Sequence, residues 1–283
     1  MGQSHWFAVL GIGLAISCSK QANNGADGNP SDPDGASNLS DARTDAPVQA
    51  SAGCGKPATS GYQCFDETFE GAPRRWCMFV PPGYDPNKPH SLMLGLHGCG
   101  GSPEGVHGNA AAPQEIYAAA DFVFVYPKSL GDCWEYNNPN SSDFHFVKHA
   151  IATASGQLCV DQARTFAHGM SSGGMMASKV LCQNIVKGSA AISLNEACST
   201  QPRPVWLYGG TSDSYYDSYI APGRDGWIRT NGCSATTQPL GTGPCVEYQG
   251  CRARTVWCSD ARGHVWPREP WATEGIMDFF RSL

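Results

Sequence analysis

The sequence predicts an α/β fold with a mostly parallel central sheet flanked by helices, and three observations favour it. Short runs that are apolar throughout, such as "SLMLGLHG" and "DFVFVYP", are typical of strands covered on both faces. Segments with helical periodicity separate these runs, as in strand–helix–strand units. The 283 residues are 41% hydrophobic and only 16% charged, a composition that allows a sizeable core.

Six strands and four helices are predicted in one domain over residues 54–283. The strands are expected at 75–81, 91–98, 121–127, 163–170, 188–193 and 204–210. The helices are expected at 115–120, 142–155, 172–183 and 272–282. Because active sites in such sheets lie at the carboxyl ends of the strands, we expect reactive residues directly after the strand runs.

The N-terminal segment has the features of an export signal followed by a tether. The apolar run Trp6–Ser17 is too short to span a bilayer but has the length of a secretory h-region. "LAISC" resembles the lipobox of bacterial lipoproteins, which predicts a signal peptide over 1–17 and a lipidated Cys18; ordinary signal cleavage nearby is the alternative. Residues 18–53 lack aromatic side chains and are predicted to be a disordered tether. We therefore expect a secreted protein, held at the cell surface as a lipoprotein by a membrane tether through Cys18.

The cysteine count favours disulfides over a zinc site, and the net charge argues against a nucleic-acid-binding protein. Cys18 aside, an even number of the 13 cysteines remains, which in an exported chain indicates disulfides. The sequence has no C-x-x-C pair, as a zinc site of paired cysteines would need. The net charge of −6 argues against nucleic-acid binding, because few cations are available to neutralise phosphates.

The stretch Gly169–Gly173 fits G-x-S-x-G, the pattern of a nucleophile elbow. In an elbow the chain turns from a strand into a helix within a few residues, and glycines beside the serine leave room for that close approach. The motif follows the apolar run "RTFAH" and precedes the helical pattern "GGMMASKVLC". We therefore predict Ser171 as a nucleophile; a glycine-rich turn without a catalytic role is the alternative.

An acid and a histidine follow Ser171 in the chain order of such a triad. Asp213 lies just past the apolar run "PVWLYGG", where a carboxylate can hold a histidine in one tautomer and stabilise its positive charge. Asp217 is the rival acid. His264 lies in the loop "ARGHVWPRE" ahead of the last helix, and histidine suits proton exchange near neutral pH.

The remaining histidines are expected to have structural roles. His168 lies on the strand before the elbow and is expected to pack there. His145 and His149 have the i, i+4 spacing of a zinc site, but Phe146 stands where a zinc protease needs its glutamate. We therefore expect a helix face there and no metal site.

A glycine-rich loop, "LHGCGGSPEG", follows the strand at 91–98. It resembles the oxyanion loop of lipases and esterases, in which backbone N–H groups face the developing oxyanion. The donors expected are the amides of Cys99 and Ser172; a loop that merely closes a strand is the alternative. An oxyanion loop followed by the elbow, the acid and the histidine in this chain order predicts an α/β-hydrolase.

The chain resembles the feruloyl esterases and the polyhydroxybutyrate-depolymerase-like esterases. The similar stretches are "AGCGKPATSG", "VPPGYDPNKPHSLMLGLHGCGG", "LCVDQARTFAHGMSSGGMMASKVLC" and "GHVWP", and the similarity spans residues 53–283. The resemblance implies the triad Ser171, Asp213 and His264, an oxyanion hole at Cys99 and Ser172, and an acyl-enzyme mechanism without a metal or organic cofactor. It also implies that the substrate is an ester of plant cell-wall polysaccharide, from which ferulic or a related phenolic acid is released.

The last expectations concern which aromatic residues bind the substrate and how the cysteines pair. The aromatic residues expected to bind the acyl group of the substrate are Trp134, Tyr136, Tyr215 and Trp266. Cys64 and Cys77 flank a candidate hairpin, and a Cys99–Cys133 bridge would tie the oxyanion loop to the "CWEY" loop. The other expected pairs are Cys54–Cys182, Cys159–Cys198, Cys233–Cys251 and Cys245–Cys258. The protein is expected to be a monomer.

Other functions stay open at this point. The same chemistry would serve an acetylxylan esterase or a polyester depolymerase, and a peptidase or acyltransferase would use the same triad. A non-catalytic carbohydrate-binding homologue is less favoured, because a binding module does not need Ser171, Asp213 and His264 in register.

Overall fold

Ten strands form one sheet in the computed structural model, which describes residues 47–283. The strands are β1 (Gly61–Phe69), β2 (Ala72–Val80), β3 (His90–Leu96), β4 (Phe122–Pro127), β5 (Val160–Met170), β6 (Gly188–Ile192), β7 (Val205–Tyr208), β8 (Thr237–Pro239), β9 (Cys245–Tyr248) and β10 (Thr255–Cys258). Their order across the sheet is β1-β2-β4-β3-β5-β6-β7-β10-β9-β8. The strands from β4 to β10 in this order are parallel, and antiparallel strands extend both edges. The predicted α/β fold with a mostly parallel sheet is confirmed.

Helices cover both faces of this sheet. They are α1 (Pro103–Gly105), α2 (Ala112–Ala118), α3 (Ser142–Gln157), α4 (Ser172–Cys182), α5 (Ala221–Asn231) and α6 (Pro270–Arg281), with π-helical turns at Val106–Ala111 and Tyr216–Ile220 and a 3-10 turn at Ala119–Asp121. One apolar core contains side chains of α3, α4 and α5, and the other contains side chains of α2 and α6. Among the residues that the structure describes, no helix combines the length and the hydrophobicity needed to cross a bilayer.

All six predicted strands are present, whereas β8, β9, β10, α1 and α5 were not predicted as elements, and β1 was expected only as part of the candidate hairpin between Cys64 and Cys77. β1 has a polar, half-exposed pattern, and β8 to β10 have at most four residues each. The sequence of α5, "APGRDGWIRTN", contains a proline and two glycines, which lower helix propensity. Its helical form depends on packing, since Trp227 is fully buried in the core.

The N-terminal predictions fall mostly outside the described residues. The signal peptide over 1–17, the lipidated Cys18 and the tether as far as residue 46 all lie outside the range 47–283. The last part of the predicted tether contacts the body: Ala50 forms a β-bridge with Asp161, and the Ser51 hydroxyl donates to the carbonyl of Leu158 at 2.7 Å. The body therefore begins before the predicted boundary at Cys54.

Six disulfides link the twelve cysteines of the described chain. Four are among the expected pairs, namely Cys64–Cys77, Cys99–Cys133, Cys233–Cys251 and Cys245–Cys258. The expected pairs Cys54–Cys182 and Cys159–Cys198 are wrong, because the structure contains Cys54–Cys159 and Cys182–Cys198. The reason is local: residues 50–53 run beside the start of β5, which places Cys54 next to Cys159. Cys182 ends α4 and meets Cys198 in the loop after β6.

Candidate active site

Ser171 occupies a sharp turn between β5 and α4. Its backbone has φ 58° and ψ −125°, a combination that a residue with a side chain rarely adopts. Glycine is required on both sides, because a Cβ atom at Gly169 would overlap the carbonyl of Gly173, and one at Gly173 would overlap the carbonyl of Leu96. This is the local geometry expected of a nucleophile elbow.

The side chain of Ser171 faces the loop that follows β3. Its Cβ lies 3.5 Å from the position that a Cβ atom of Gly98 would take. Over residues 47–283, the amide N–H groups of Cys99, next in the loop, and of Ser172 donate to no backbone oxygen. Ser172 is the first residue of α4, where helix N–H groups lack partners within the helix. Both amides are therefore free to bind an oxygen atom placed against Ser171.

His97 holds this loop from inside the protein. Its Nε2 accepts a hydrogen bond from the Ser129 N–H at 3.1 Å, so its Nδ1 carries the proton and donates to the carbonyl of Gly98 at 2.7 Å. Burial lowers the pKa of His97, which keeps the ring neutral. His97 thus supports the loop and is not placed to exchange protons with Ser171.

Trp134 connects the same loop to the elbow. Its indole N–H donates to the carbonyl of His97 at 2.8 Å, and its backbone N–H donates to the Ser172 hydroxyl at 2.9 Å. Its side chain is only 3% exposed, so in this structure Trp134 packs against the loop, and substrate contact by Trp134 stays a prediction. The ring is enclosed and positions the loop. The hydroxyl of Ser172, like Trp134, has a supporting role that the sequence pattern did not reveal.

A buried ion pair supports the segment that carries Trp134. Asp143 accepts hydrogen bonds from Arg74 at 2.8 Å, from the Leu130 N–H at 2.8 Å and from the Glu135 N–H at 2.9 Å. The Arg74 and Asp143 side chains are 1% and 2% exposed. Buried charges are tolerated only when they are paired and hydrogen-bonded, as here. No sequence pattern pointed to this pair, whose members are 69 residues apart.

Asp213 and His264 lie in contact at the carboxyl-terminal edge of the sheet. The Asp213 carboxylate is fully buried and accepts a hydrogen bond from His264 Nδ1 at 2.7 Å. Its other oxygen accepts the Tyr215 N–H at 3.0 Å. With the proton on Nδ1, the Nε2 atom of His264 is free to accept a proton. The rival acid, Asp217, is exposed in the turn at Tyr216–Ile220 and makes no hydrogen bond to His264.

The structure does not connect all members of the predicted triad. Over residues 47–283, no hydrogen bond joins the Ser171 hydroxyl to the His264 ring. β5 and β7, which precede Ser171 and Asp213, are parallel strands separated only by β6. Ser171 and the Asp213–His264 pair therefore lie at the same edge of the sheet, the one formed by the carboxyl ends of the parallel strands.

The other histidines lie in different surroundings. His168 is fully buried on β5, both its ring nitrogens lack a hydrogen-bond partner in the described chain, and burial lowers its pKa to about 3. His145 and His149 lie on α3 and contact Glu70 at 2.7 Å and Glu67 at 3.0 Å.

Within residues 47–283, the one group of three close potential metal ligands is Cys64, Cys77 and Glu104, and its two cysteines are joined in a disulfide.

The three remaining aromatic residues differ in exposure. Tyr215 is 44% exposed, and its ring lies edge-on to His264 with 5.4 Å between centroids. Trp266 is half-buried and lies edge-on to His168 at 5.3 Å. Tyr136 is half-buried against the core on the α3 side. Of these three, Tyr215 alone is exposed, and its ring lies beside His264.

The chain is similar in sequence to fungal enzymes. It is 30% identical over 263 residues to feruloyl esterase D of Neurospora crassa, an alignment that covers 81% of this chain and 89% of the relative. It is 31% identical over 208 residues to feruloyl esterase C of Emericella nidulans, with 68% of this chain and 76% of the relative covered. No family model matches the chain.

Solved structures share the fold. An acetyl xylan esterase from Aspergillus awamori superposes with a TM-score of 0.57 at 15% identity, covering 78% of this chain and all (100%) of that one. The feruloyl esterase module from Clostridium thermocellum, complexed with sinapinate, gives a TM-score of 0.58 at 14% identity and covers 81% of this chain and 90% of that one. At such low identity these structures establish the α/β-hydrolase type of fold and nothing finer.

Proposed function

The chain belongs to the feruloyl esterase family and is a carboxylic ester hydrolase, and we propose that it releases ferulic or a related phenolic acid from esters of plant cell-wall polysaccharide. The observation that carries the hydrolytic chemistry is the 2.7 Å hydrogen bond between buried Asp213 and His264, at the sheet edge that also bears the strained Ser171, and the similarity to feruloyl esterases supports the phenolic acyl group. A protein that only binds carbohydrate does not need this arrangement.

In the first step, the Ser171 hydroxyl attacks the ester carbonyl while His264 Nε2 takes its proton. Asp213 holds the His264 tautomer and stabilises the positive imidazolium. The carbonyl oxygen becomes an oxyanion that the amides of Cys99 and Ser172 bind. When the tetrahedral intermediate collapses, the C–O bond to the alcohol breaks and His264 returns the proton to the leaving oxygen.

In the second step, water replaces the alcohol. His264 takes a proton from the water, whose oxygen attacks the acyl carbonyl through the same oxyanion hole. The bond to Ser171 then breaks, Ser171 regains its proton, and the carboxylic acid leaves. We assign acyl contact to Tyr215, whose exposed ring lies beside His264.

Removal of the nucleophile tests the chemistry. Ser171→Ala should lower kcat for methyl ferulate by about 10⁶-fold, while retaining the wild-type circular dichroism spectrum. Ser214→Ala is the matched control, because Ser214 is an exposed serine close to Asp213 in the chain, and should keep wild-type rates. A Ser171→Ala enzyme within tenfold of wild type would overturn the assignment.

A substrate panel tests the acyl group. We expect kcat/KM to be higher for methyl ferulate than for acetylxylan or a short hydroxyalkanoate polyester. A higher value for acetylxylan or for the polyester would favour the corresponding alternative esterase.

We also propose export, lipidation of Cys18 and a monomeric state. Six disulfides within residues 47–283 support an oxidising compartment, since such bridges are rare in reducing cytosol. Mass spectrometry of the mature N-terminus should show a diacylglycerol-sized increment on Cys18, and an unmodified N-terminus would contradict lipidation. Sedimentation equilibrium should give the mass of one chain.

A further inference from the structure

A cavity of about 690 Å³ lies beside the candidate active site. Its wall is formed by residues 195–200, which follow β6, by parts of the Tyr216–Ile220 turn and of α5, and by Arg252. We name it the α5 cavity. None of the residues to which we assign a role in the reaction lines it.

Two contacts place the α5 cavity next to the reacting groups. Met175 in its wall lies one helical turn after Ser171, and the Met175 N–H donates to the Ser171 carbonyl at 3.0 Å. Tyr219 in its wall has its ring 6.1 Å from that of Tyr215, which in turn lies 5.4 Å from the His264 ring. The cavity wall is therefore joined to Ser171 through one turn of α4 and to His264 through the rings of Tyr219 and Tyr215.

The wall of the α5 cavity has the chemistry of a saccharide site. The hydroxyls of Ser199, Thr200 and Ser218 offer donors and acceptors that match sugar hydroxyls. The Tyr219 ring is 47% exposed and offers an apolar face for the C–H side of a sugar ring. A few polar groups together with an aromatic ring are typical of ligand sites.

Two arginines give this cavity an unbalanced positive charge. Arg229 and Arg252 both line it, and over residues 47–283 neither forms an ion pair with a carboxylate, whereas Arg75, Arg254 and Arg262 each do. Arg252 is held in place, since its guanidinium donates to the Thr230 carbonyl at 2.8 Å.

The acid in the same wall does not neutralise these arginines. The Glu196 carboxylate is paired with Lys179 at 2.6 Å. In a chain of net charge −6, these two exposed guanidinium groups, without a carboxylate partner over residues 47–283, line one cavity, and a ligand carboxylate matches the guanidinium geometry.

We propose that the α5 cavity binds the alcohol side of the ester, a saccharide that carries a uronic-acid carboxylate, and that Arg229 and Arg252 bind this carboxylate. This inference rests on the proposed esterase function and adds a specificity to it. The aromatic acid would lie at Tyr215, and the acidic saccharide would lie beyond Met175 in the cavity.

Matched substrates test the inference. We compare kcat/KM for feruloyl esters of a neutral xylo-oligosaccharide and of one that carries a glucuronic acid branch. Wild type should favour the acidic ester by about tenfold, the effect of one or two charge-assisted hydrogen bonds. The Arg229→Gln, Arg252→Gln double variant should reduce this ratio to about one and leave kcat/KM for methyl ferulate unchanged.

A charge-matched control separates the cavity from the overall field. Lys88→Gln with Lys148→Gln removes the same charge from exposed lysines outside the cavity and should keep the tenfold preference. The proposal is overturned if wild type shows no preference, if the arginine variant keeps it, or if the lysine variant also loses it.

A binding measurement distinguishes failure of this site from failure of the esterase function. In Ser171→Ala, calorimetry should detect the free acidic xylo-oligosaccharide, with affinity that weakens at high salt and is lost in the arginine variant. Absence of this binding with methyl ferulate hydrolysis intact would overturn only the cavity site. Binding without hydrolysis by wild type would overturn only the esterase function.

Discussion

Ser171 and His264 differ in how many contacts hold the chain around them in place and in how deeply those contacts are buried. On the serine side, the loop that carries Cys99 is joined to the segment of Trp134 by the Cys99–Cys133 disulfide and by the indole hydrogen bond to His97. That segment is in turn held by the buried carboxylate of Asp143. On the histidine side, the His264 ring is 30% exposed and makes one side-chain hydrogen bond, to Asp213.

This difference predicts whether a substitution mainly lowers the folding stability or the reaction rate. Many buried contacts share the work of shaping the serine side, so loss of one of them should lower the rate only modestly, and the largest effect there should be on folding stability. One contact orients the histidine, so its loss should reduce rate more than stability.

The largest expected effect is on the histidine side. Asp213→Asn should lower kcat for methyl ferulate by about 10⁴-fold, because an amide no longer selects the reactive tautomer of His264. Steady-state kinetics at pH 7 measure this, and the midpoint of urea unfolding should shift little. Asp217→Asn, an exposed acid four positions on, should keep wild-type kinetics. A loss smaller than tenfold in Asp213→Asn would break the contrast between the two sides.

The next effect is on the stability of the serine side. Arg74→Met should lower the free energy of unfolding by about 3–5 kcal/mol, because it leaves the Asp143 charge buried without its partner. Arg75→Met is the neighbouring control, since the Arg75 side chain is 43% exposed in its ion pairs, and its loss should change stability far less than that of Arg74. Denaturant unfolding measures both variants, and equal losses would contradict this account of the buried pair.

A smaller effect concerns His168, which is buried under the serine side. Because burial holds its folded pKa near 3, below the unfolded value of about 6.5, the unfolded chain binds a proton that the folded chain excludes. Its contribution to stability is complete above pH 6.5 and declines by about 1.4 kcal/mol per pH unit as the pH falls from there toward 3. Between pH 6.5 and pH 5, the free energy of unfolding should fall by about 2 kcal/mol less in His168→Leu than in wild type. Urea unfolding at each pH measures this difference. An unchanged slope would rule this contribution out.

Trp134→Phe should give a smaller loss, in rate. The variant keeps a buried ring but removes the hydrogen bond to the His97 carbonyl, worth about 0.5–1.5 kcal/mol. As a positioning residue, Trp134 should affect kcat, which we expect to fall by about 3- to 10-fold, with KM for methyl ferulate unchanged. Tyr136→Phe, in the same loop, should leave both constants at wild-type values. A rise in KM alone would instead indicate direct contact with substrate.

The smallest effect concerns substrate contact on the histidine side. Tyr215→Ala should raise KM for methyl ferulate by about 2- to 10-fold, the range for loss of one aromatic contact. Hydrolysis of p-nitrophenyl acetate, which has no aromatic acyl group, should be unaffected. Equal changes on both esters would remove Tyr215 from the acyl site.

The sequence predicted features that short segments encode. Buried parallel strands are apolar throughout, and an elbow needs glycine on both sides of its serine, so β5, Ser171 and α4 could be located from composition and spacing. The choice between Asp213 and Asp217 needed the structure, because both follow the same strand run within four residues.

The supporting contacts could not be predicted, because they join segments far apart in the chain. Arg74 and Asp143 are 69 residues apart, and Cys54 and Cys159 are 105 apart. The burial of the Trp134 ring depends on where the loop after β3 passes, and that loop is distant from Trp134 in the chain. Such choices are made by tertiary packing, which a single sequence does not display.

The chain around Ala50 enters the body far from the reactive serine. It joins the body at Asp161, at the amino end of β5, whereas Ser171 follows the carboxyl end of the same strand. β5 has 11 residues and, at about 3.3 Å per residue, spans about 36 Å. The point where the chain enters the body and the reactive serine are therefore separated by the length of this one strand.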